Sequence, residues 1–282
     1  MSDTALKVAD YKSDLKPIWC SGCGDFGVIT PFYQALAEIQ ADPKSTVIVS
    51  GIGCSGRFPY FCNTYGFHGV HGRALPTAAG VKIGRPDLTV VAVGGDGDGL
   101  GIGGGHVPHV CRKNVDMTYI LIDNSIYGLT KGQSSPTSPL GMKSKTAPYA
   151  YIEDPLNPLL MFLAYNASFV ARGYSGKPKD LKSLFVQAMQ HKGFSVLHIF
   201  SPCVSMNKEI TFKTMNEIVK PLPEDWDTSN KLAAMEKALD TDTFWTGLVY
   251  QEERDTINQR LDGIEERSGR YADIGELFAK YK

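Results

Sequence analysis

Short apolar runs bounded by glycine recur along the chain at STVIVSGIG (45–53), LTVVAVGGDG (88–97), MTYILIDN (117–124), ASFVARG (167–173) and SVLHIFSP (195–202). Each is rich in β-branched residues and lacks polar alternation, which predicts strands buried on both faces. The segments between them, VITPFYQALAEIQ (28–40), ALPTAAGVKIG (74–84), GGHVPHVCRKN (104–114), PLLMFLAYN (158–166) and PKDLKSLFVQAMQHK (178–192), carry helical patterns. The last opens with a proline and an acidic residue in its first turn, a helix-start signature. Strand and helix alternating in this way predict an α/β fold: a mainly parallel sheet with helices on both faces.

Two segments depart from the alternation. Residues 131–158, KGQSSPTSPLGMKSKTAPYAYIEDPLNP, hold five prolines and no period, so they predict a long loop, either functional or disordered. After Met206 the composition turns charged: the last 76 residues carry 27 of the 59 charged side chains. This predicts helices laid over the domain or against a partner, with a solvated face. The chain thus divides into an N-terminal segment with the first helix (1–44), an α/β domain (45–206) and a charged, helical extension (207–282).

Composition narrows the function. A net charge of −1 over 282 residues gives no polyelectrolyte signature, so nucleic acid is excluded as a partner. The opening MSDTALKVADYKSDLK has no apolar signal-peptide core. No run approaches the roughly 20 apolar residues that span a bilayer. A cytoplasmic, membrane-free protein is expected. In that compartment the six cysteines are ligands, catalytic groups or packing rather than disulfides. Cys62, among aromatic residues, and Cys111, in a predicted helix, read as packing.

The strand LTVVAVG runs into GDGDGLGIGGGH (95–106), where a glycine cluster at a strand's carboxyl end lets backbone amides approach a phosphate. Two readings compete. Gly99, Gly101 and Gly104 match G-x-G-x-x-G, with Asp123 about 20 residues on, as in a dinucleotide site. Alternatively Asp96 follows the strand directly, and 25 residues separate Gly97 from Asp123 and Asn124 at the next strand's end. That spacing resembles the thiamine diphosphate signature, GDG followed by NN, in which side chains from neighbouring strand tips reach one octahedral Mg²⁺. Placement favours the second reading, because the turn out of the strand holds Gly94, Gly95 and Asp96 while the dinucleotide match begins only at Gly99. One departure is plain: the first asparagine of the signature is Asp123 here.

Cys54 and Cys203 follow predicted strands and so sit at the same edge as Asp96 and Asn124. With Cys20 and Cys23 they form C-x-x-C, then 30 residues, then 148. A zinc ribbon would place a second C-x-x-C nearer, so the spacing favours a cubane iron–sulfur cluster over zinc.

WCSGCG, GIGCSGRF, HGRALPTAAGVK, GGDGDGLGIGGGH, LIDNSIYGLTKGQ and SPC, in this order over residues 17–206, together resemble the β subunit of 2-oxoacid:ferredoxin oxidoreductases, most of all the 2-oxoglutarate enzymes. The resemblance implies the thiamine diphosphate-binding fold and one [4Fe–4S] cluster on Cys20, Cys23, Cys54 and Cys203. It implies Mg²⁺ on Asp96, Asn124 and the carbonyl of Ile126. Gly95, Gly97, Asp98, Gly128 and Leu129, with Ile52, Gly53, Cys54 and Ser55, match cofactor contacts. Arg57 falls where related enzymes place a basic residue near the substrate, and its planar fork suits a second carboxylate. His71, in HGRALP, is the other candidate catalytic residue, facing the cofactor or reacting centre, with a histidine that caps or packs a helix start as the alternative. The implied activity is oxidative decarboxylation of 2-oxoglutarate with coenzyme A, or its reverse, with electrons passed to ferredoxin. Pyruvate or another 2-oxoacid as substrate, and a non-oxidative thiamine enzyme subunit, are the alternatives. No residue here identifies the carboxylate that activates the aminopyrimidine. In the family it comes from a pyrimidine-binding α subunit, which implies an αβ heterodimer pairing into a dimer of heterodimers. Residues 131–158 and the charged extension are the candidate partner-facing surface.

Overall fold

The computed structural model describes residues 5–268 and 274–281. Five strands coincide with the five apolar runs: β1 (Thr46–Ser50), β3 (Thr89–Gly95), β4 (Met117–Asp123), β5 (Phe169–Tyr174) and β6 (Phe194–Phe200). β4, β5 and β6 are buried at every position, as strands covered on both faces must be. The sheet has eight strands in the order β2-β1-β3-β4-β6-β5-β8-β7, where β2 is Tyr65–His68, β7 Val219–Pro221 and β8 Phe244–Gln251. All pairings are parallel except that of β5 with β8.

Helices α1 (Phe26–Glu38) and α5 (Pro178–Gln190) cover one face, where Phe32 and Phe185 meet edge-on at 5.5 Å between centroids. The other face is covered by α2 (Ala74–Gly84), α3 (Val107–Lys113), α4 (Pro158–Ala164) and α7 (Lys231–Leu239), which bury Leu75, Val110, Phe162 and Ala234 against it. Sequence-local caps set several ends. Asn157 accepts from the Leu160 amide just before Pro158, and Asn114 closes α3 in the left-handed conformation at φ 48°.

The extension beyond Met206 is mixed rather than helical. Besides α7 it contains α6 (Phe212–Ile218), α8 (Ile257–Ser268) and α9 (Ile274–Ala279), but β8 pairs with β5 and enlarges the sheet. The run FWTGLVYQ is apolar, and averaging charge over the whole extension conceals it. No helix among the described residues is long and apolar enough to cross a membrane.

The chain leaves β1 for β2 on one side and returns through α2 to β3 on the other. This reversal opens a crevice at the carboxyl ends of β1 and β3, the place where doubly wound sheets bind ligands. At its rim α1 begins in tight contact: a methyl group on Gly27 would lie 2.2 Å from the Ser175 carbonyl oxygen in the turn after β5. Gly27→Ala is therefore expected to cost about 1–3 kcal/mol, because backbone cannot retreat as a side chain can. Urea unfolding measures it.

Candidate active site

Turns after three adjacent parallel strands converge on one cavity of about 260 Å³. Ile52, Gly53, Cys54 and Ser55 come from the turn after β1, Gly95 from the last position of β3, and Asp96, Gly97 and Asp98 from the turn that follows it. Asn124, Ile126, Gly128 and Leu129 follow β4, and His71 joins the wall from the start of α2. Asp25, Ile122, Tyr127 and Thr130 complete it without having been singled out by sequence. Arg57, Cys20, Cys23 and Cys203 are off the wall. The turn out of β3 is made by Gly95, Asp96 and Gly97, and Gly99 and Gly101 belong to the π-helical turn beyond it. The dinucleotide geometry is thus absent from this turn.

Asp98 is buried and clamps two walls together. Its Oδ1 accepts from the Gly72 amide at 2.7 Å, the Ile52 amide at 2.9 Å and His71 Nδ1 at 2.9 Å. Asp98, expected from the resemblance as a cofactor contact, is here a brace for His71, whose ring meets Tyr127 edge-on at 6.2 Å. Gly97 is required here, since a methyl group on it would lie 2.2 Å from the Tyr127 ring.

Asp96 and Asp123 are buried at neighbouring strand tips, and one hydroxyl joins them. Thr137 Oγ1 lies 2.9 Å from Asp96 Oδ2 and 2.8 Å from Asp123 Oδ1, and Ser135 Oγ donates to Asp96 at 2.5 Å. Burial and the charge of Asp123 push Asp96 up to about 7. Burial acts on Asp123 in the same sense, but His198 Nε2 at 2.8 Å, Thr137 and the Ser125 amide outweigh it and hold the carboxyl below its ordinary value. Burial holds His198 itself below the ordinary histidine range, despite Asp123. The neutral ring donates from Nε2 to Asp123, and Nδ1 has no partner among the described residues. The Arg172 guanidinium, buried beside this pair, lies 4.5 Å from the Phe244 ring centroid and is brought down to about 10 by burial. Asp123 thus stands where the signature has asparagine because this chain surrounds it with donors. Ser125, in the left-handed region at φ 54°, turns the backbone between Asn124 and Ile126. Ser138 Oγ anchors that turn on the Ser125 carbonyl at 2.7 Å.

Residues 135–138 of the long loop therefore lie inside the molecule, whereas Tyr149 and Ile152 further along it are 92% and 85% exposed.

Of the four cysteines named from spacing, Cys54 lines the cavity, Cys203 and Cys20 are near enough to act on its thiol, and Cys54 and Cys203 act on Cys23. A methyl group on Gly128 would lie 3.2 Å from Cys203 Sγ and 3.9 Å from Cys54 Sγ. Cys54 is raised to about 11 by burial, Asp25 and Cys203, with Arg57 opposing and Cys20 adding a further rise. Cys23 is raised further, first by burial and then by Asp25, Cys54 and Cys203 among its neighbours. Arg57 thus sits close to Cys54 while outside the cavity wall. Cys20 is exposed, and all six cysteines are free. Cys62 and Cys111 are buried in the core. Among the described residues no group of three or more His, Cys, Asp or Glu side chains converges as a single-ion site would. A cubane binds its thiolates through separate irons and asks for no such convergence. Crowded, hard-to-ionise thiols are the donor set that a cationic core stabilises.

The buried carboxylate oxygens without a partner among the described residues are Asp25 Oδ2 and Asp98 Oδ2, both from cavity-wall residues. Burial raises Asp25 to about 6, against hydrogen bonds from Ser201 and Cys23. With the glycine-lined turns and the Asp96–Asn124–Ile126 constellation, they fit a ligand that brings diphosphate oxygens, a divalent cation and donors. The signal for Asp25 was its place in WCSGCGDFG, and for Tyr127 its place in NSIYG.

Residues 51–199 match the family described as thiamine pyrophosphate enzyme, C-terminal TPP binding domain. Residues 203–266 match the family formed by the C-terminal part of the pyruvate ferredoxin oxidoreductase beta subunit. The chain is 42% identical over 270 residues to a 2-oxoacid:ferredoxin oxidoreductase subunit beta of Saccharolobus solfataricus, covering 90% of this chain and 88% of that one. It is 36% identical over 258 residues to a 2-oxoglutarate synthase subunit KorB of Methanothermobacter marburgensis, covering 91% and 90%. Among solved structures, the 2-oxoglutarate:ferredoxin oxidoreductase from Magnetococcus marinus with 2-oxoglutarate, coenzyme A and succinyl-CoA bound aligns with a TM-score of 0.96 and 48% identity, covering 98% of this chain and 96% of that one.

Removing the ring that steadies Asp123 isolates a buried charge. His198→Leu is expected to lower unfolding free energy by about 2–3 kcal/mol, and Asp123→Asn in that background to restore part of it. A double-mutant cycle in urea measures the coupling.

Proposed function

The chain belongs to the β subunits of the 2-oxoacid:ferredoxin oxidoreductases, and from that membership we propose that it carries the diphosphate half of an active site converting 2-oxoglutarate and coenzyme A to succinyl-CoA and CO₂, or the reverse. The observation that carries the oxidative reading is the shared wall: Cys54 lines the cavity and stands in the thiol group with Cys203, across Gly128. A decarboxylase that keeps its electrons on the product has no use for thiols there.

Asp96, Asn124 and the Ile126 carbonyl would hold Mg²⁺, and the turns at Ile52–Ser55, Gly95–Asp98 and Gly128–Leu129 would hold the diphosphate and thiazolium. Cys20, Cys23, Cys54 and Cys203 would hold a [4Fe–4S] cluster. Thiamine diphosphate supplies, when bound, a nucleophilic carbon and an electron sink for decarboxylation. The chain's own groups position and insulate. Asp98 holds His71 in the cavity wall through Nδ1, where the imidazole is the candidate group to exchange a proton. Leu129 and Ile52 form apolar wall. Arg57 beside Cys54 is the candidate partner of the substrate's distal carboxylate, reached once the site is closed by the α subunit. Support for an α subunit lies in the relatives, which are named as β subunits. The exposed Tyr149 and Ile152 offer it apolar contact. Ferredoxin is the proposed electron acceptor, a dimer of heterodimers the proposed assembly, and the cytoplasm, in keeping with six free thiols, the proposed location.

The complex reconstituted with its α subunit is expected to contain iron and acid-labile sulfide and to reduce ferredoxin with 2-oxoglutarate and coenzyme A faster than with pyruvate. Zinc without iron overturns the oxidative reading, and a preference for pyruvate overturns the substrate. Cys20→Ser, at the exposed ligand, is expected to abolish ferredoxin reduction and the EPR signal of the reduced cluster while leaving the dissociation constant for thiamine diphosphate within about twofold.

Metal loading has a proton signature. An acid whose folded value lies near 7, against about 4 unfolded, keeps its proton through that window and disfavours the folded state as pH rises across it. Mg²⁺ requires the carboxylate. Binding of Mg²⁺ with thiamine diphosphate is therefore expected to release a proton at pH 6 and little at pH 8.5. Calorimetry in buffers of different ionisation enthalpy reads the difference.

A further inference from the structure

Asn207 follows Cys203 by four residues and is 1% exposed. Both ends of its side-chain amide are used. Oδ1 accepts from the amides of Glu209 at 3.1 Å and Ile210 at 2.9 Å, and Nδ2 donates to the Asn124 carbonyl at 3.1 Å. Its own amide donates to the Cys203 carbonyl at 3.0 Å. The amide's orientation is fixed by these neighbours, since two N–H groups face one end and a C=O the other.

A residue that only shaped the turn would need Oδ1 alone. The Nδ2 bond does something else: it reaches across to the loop after β4, at the residue bearing a candidate Mg²⁺ ligand. The same residue holds, through its backbone, the carbonyl of a candidate cluster ligand. We propose that Asn207 is a positioning residue that ties the thiol loop to the metal loop, so that Cys203 and Asn124 keep one relative placement. The inference rests on the function proposed above for those two residues. With the cavity and the thiols sharing Gly128 as a wall, a displacement of either loop changes the separation on which electron transfer between the two sites depends. One buried amide fixes that separation from outside the cavity.

Asn207→Asp keeps the acceptor that the Glu209 and Ile210 amides need, removes the donor and sets a carboxylate against the Asn124 carbonyl. Asn207→Ser is the second variant: its hydroxyl can still accept from the turn amides but is too short to reach Asn124. Both are made in the complex with the α subunit. The expected result is a dissociation constant for Mg²⁺–thiamine diphosphate raised about tenfold by calorimetry, the weight of one buried hydrogen bond. An altered EPR line shape of the reduced cluster should accompany it, at an unchanged thiamine diphosphate-to-protein stoichiometry. A merely structural role would lower the melting temperature and leave the affinity and spectrum of the folded complex as in the parent, and that result overturns the proposal. If the unmodified complex binds no thiamine diphosphate or holds no cluster, the proposed function falls and the link with it. Normal behaviour in the parent with unchanged affinity and spectrum in both variants sinks the link alone.

Discussion

One hydroxyl between two buried carboxylates governs the strand tips. Thr137 approaches both Asp96 and Asp123 within hydrogen-bond distance, yet it has a single proton to give. The second contact is favourable only if one of the acids keeps its own proton, or if a cation stands beside the pair. The chain decides which acid stays charged. His198, the Ser125 amide and nearby Arg172 favour the carboxylate form of Asp123, and burial beside that charge leaves Asp96 as the proton holder. The pair thus favours a proton on Asp96, the candidate ligand from which a divalent ion would have to displace it.

The same economy of charge recurs at the thiols. Cys23 and Cys54 resist ionisation because they are buried, close to one another and close to Asp25. Arg57 opposes the rise at Cys54 and is the nearby cation that the cavity wall lacks. The sequence offers Arg57 only as a substrate contact, whereas the fold sets its guanidinium where it acts on the Cys54 thiol.

Much of this was legible because it is local. The five central strands announce themselves as apolar runs, and α2 coincides with ALPTAAGVKIG residue for residue. The turn residues follow because glycine and acid at a strand's end have few uses. What was illegible is what tertiary partners create. β2 is exposed at every position and so shows no burial pattern, and β8 is an apolar strand within a charged extension. Ser135, Thr137 and Ser138 look like loop residues, and only the fold turns them inward against Asp96 and Ser125. Asn207 and His198 carry no motif; they matter through atoms contributed by residues 83 and 75 positions away.

The departure of Asp123 from the signature asparagine illustrates how a local irregularity is absorbed. An asparagine there could donate as well as accept and would need no counter-group. The aspartate can only accept, so each of its neighbours must donate: an imidazole, a hydroxyl and an amide, with a guanidinium nearby. Two of the groups around it, His198 and Arg172, lie in a polar layer between the main apolar cluster on that face and the smaller one built with residues after Met206, and Phe244 of β8 closes over both. The extension that reads as solvated surface is thereby part of the dielectric that keeps Asp123 and Asp96 apart in charge. A mutation at Phe244, which is not part of the cavity wall, would act on the loop after β4 through His198 and Asp123 by admitting water to that layer.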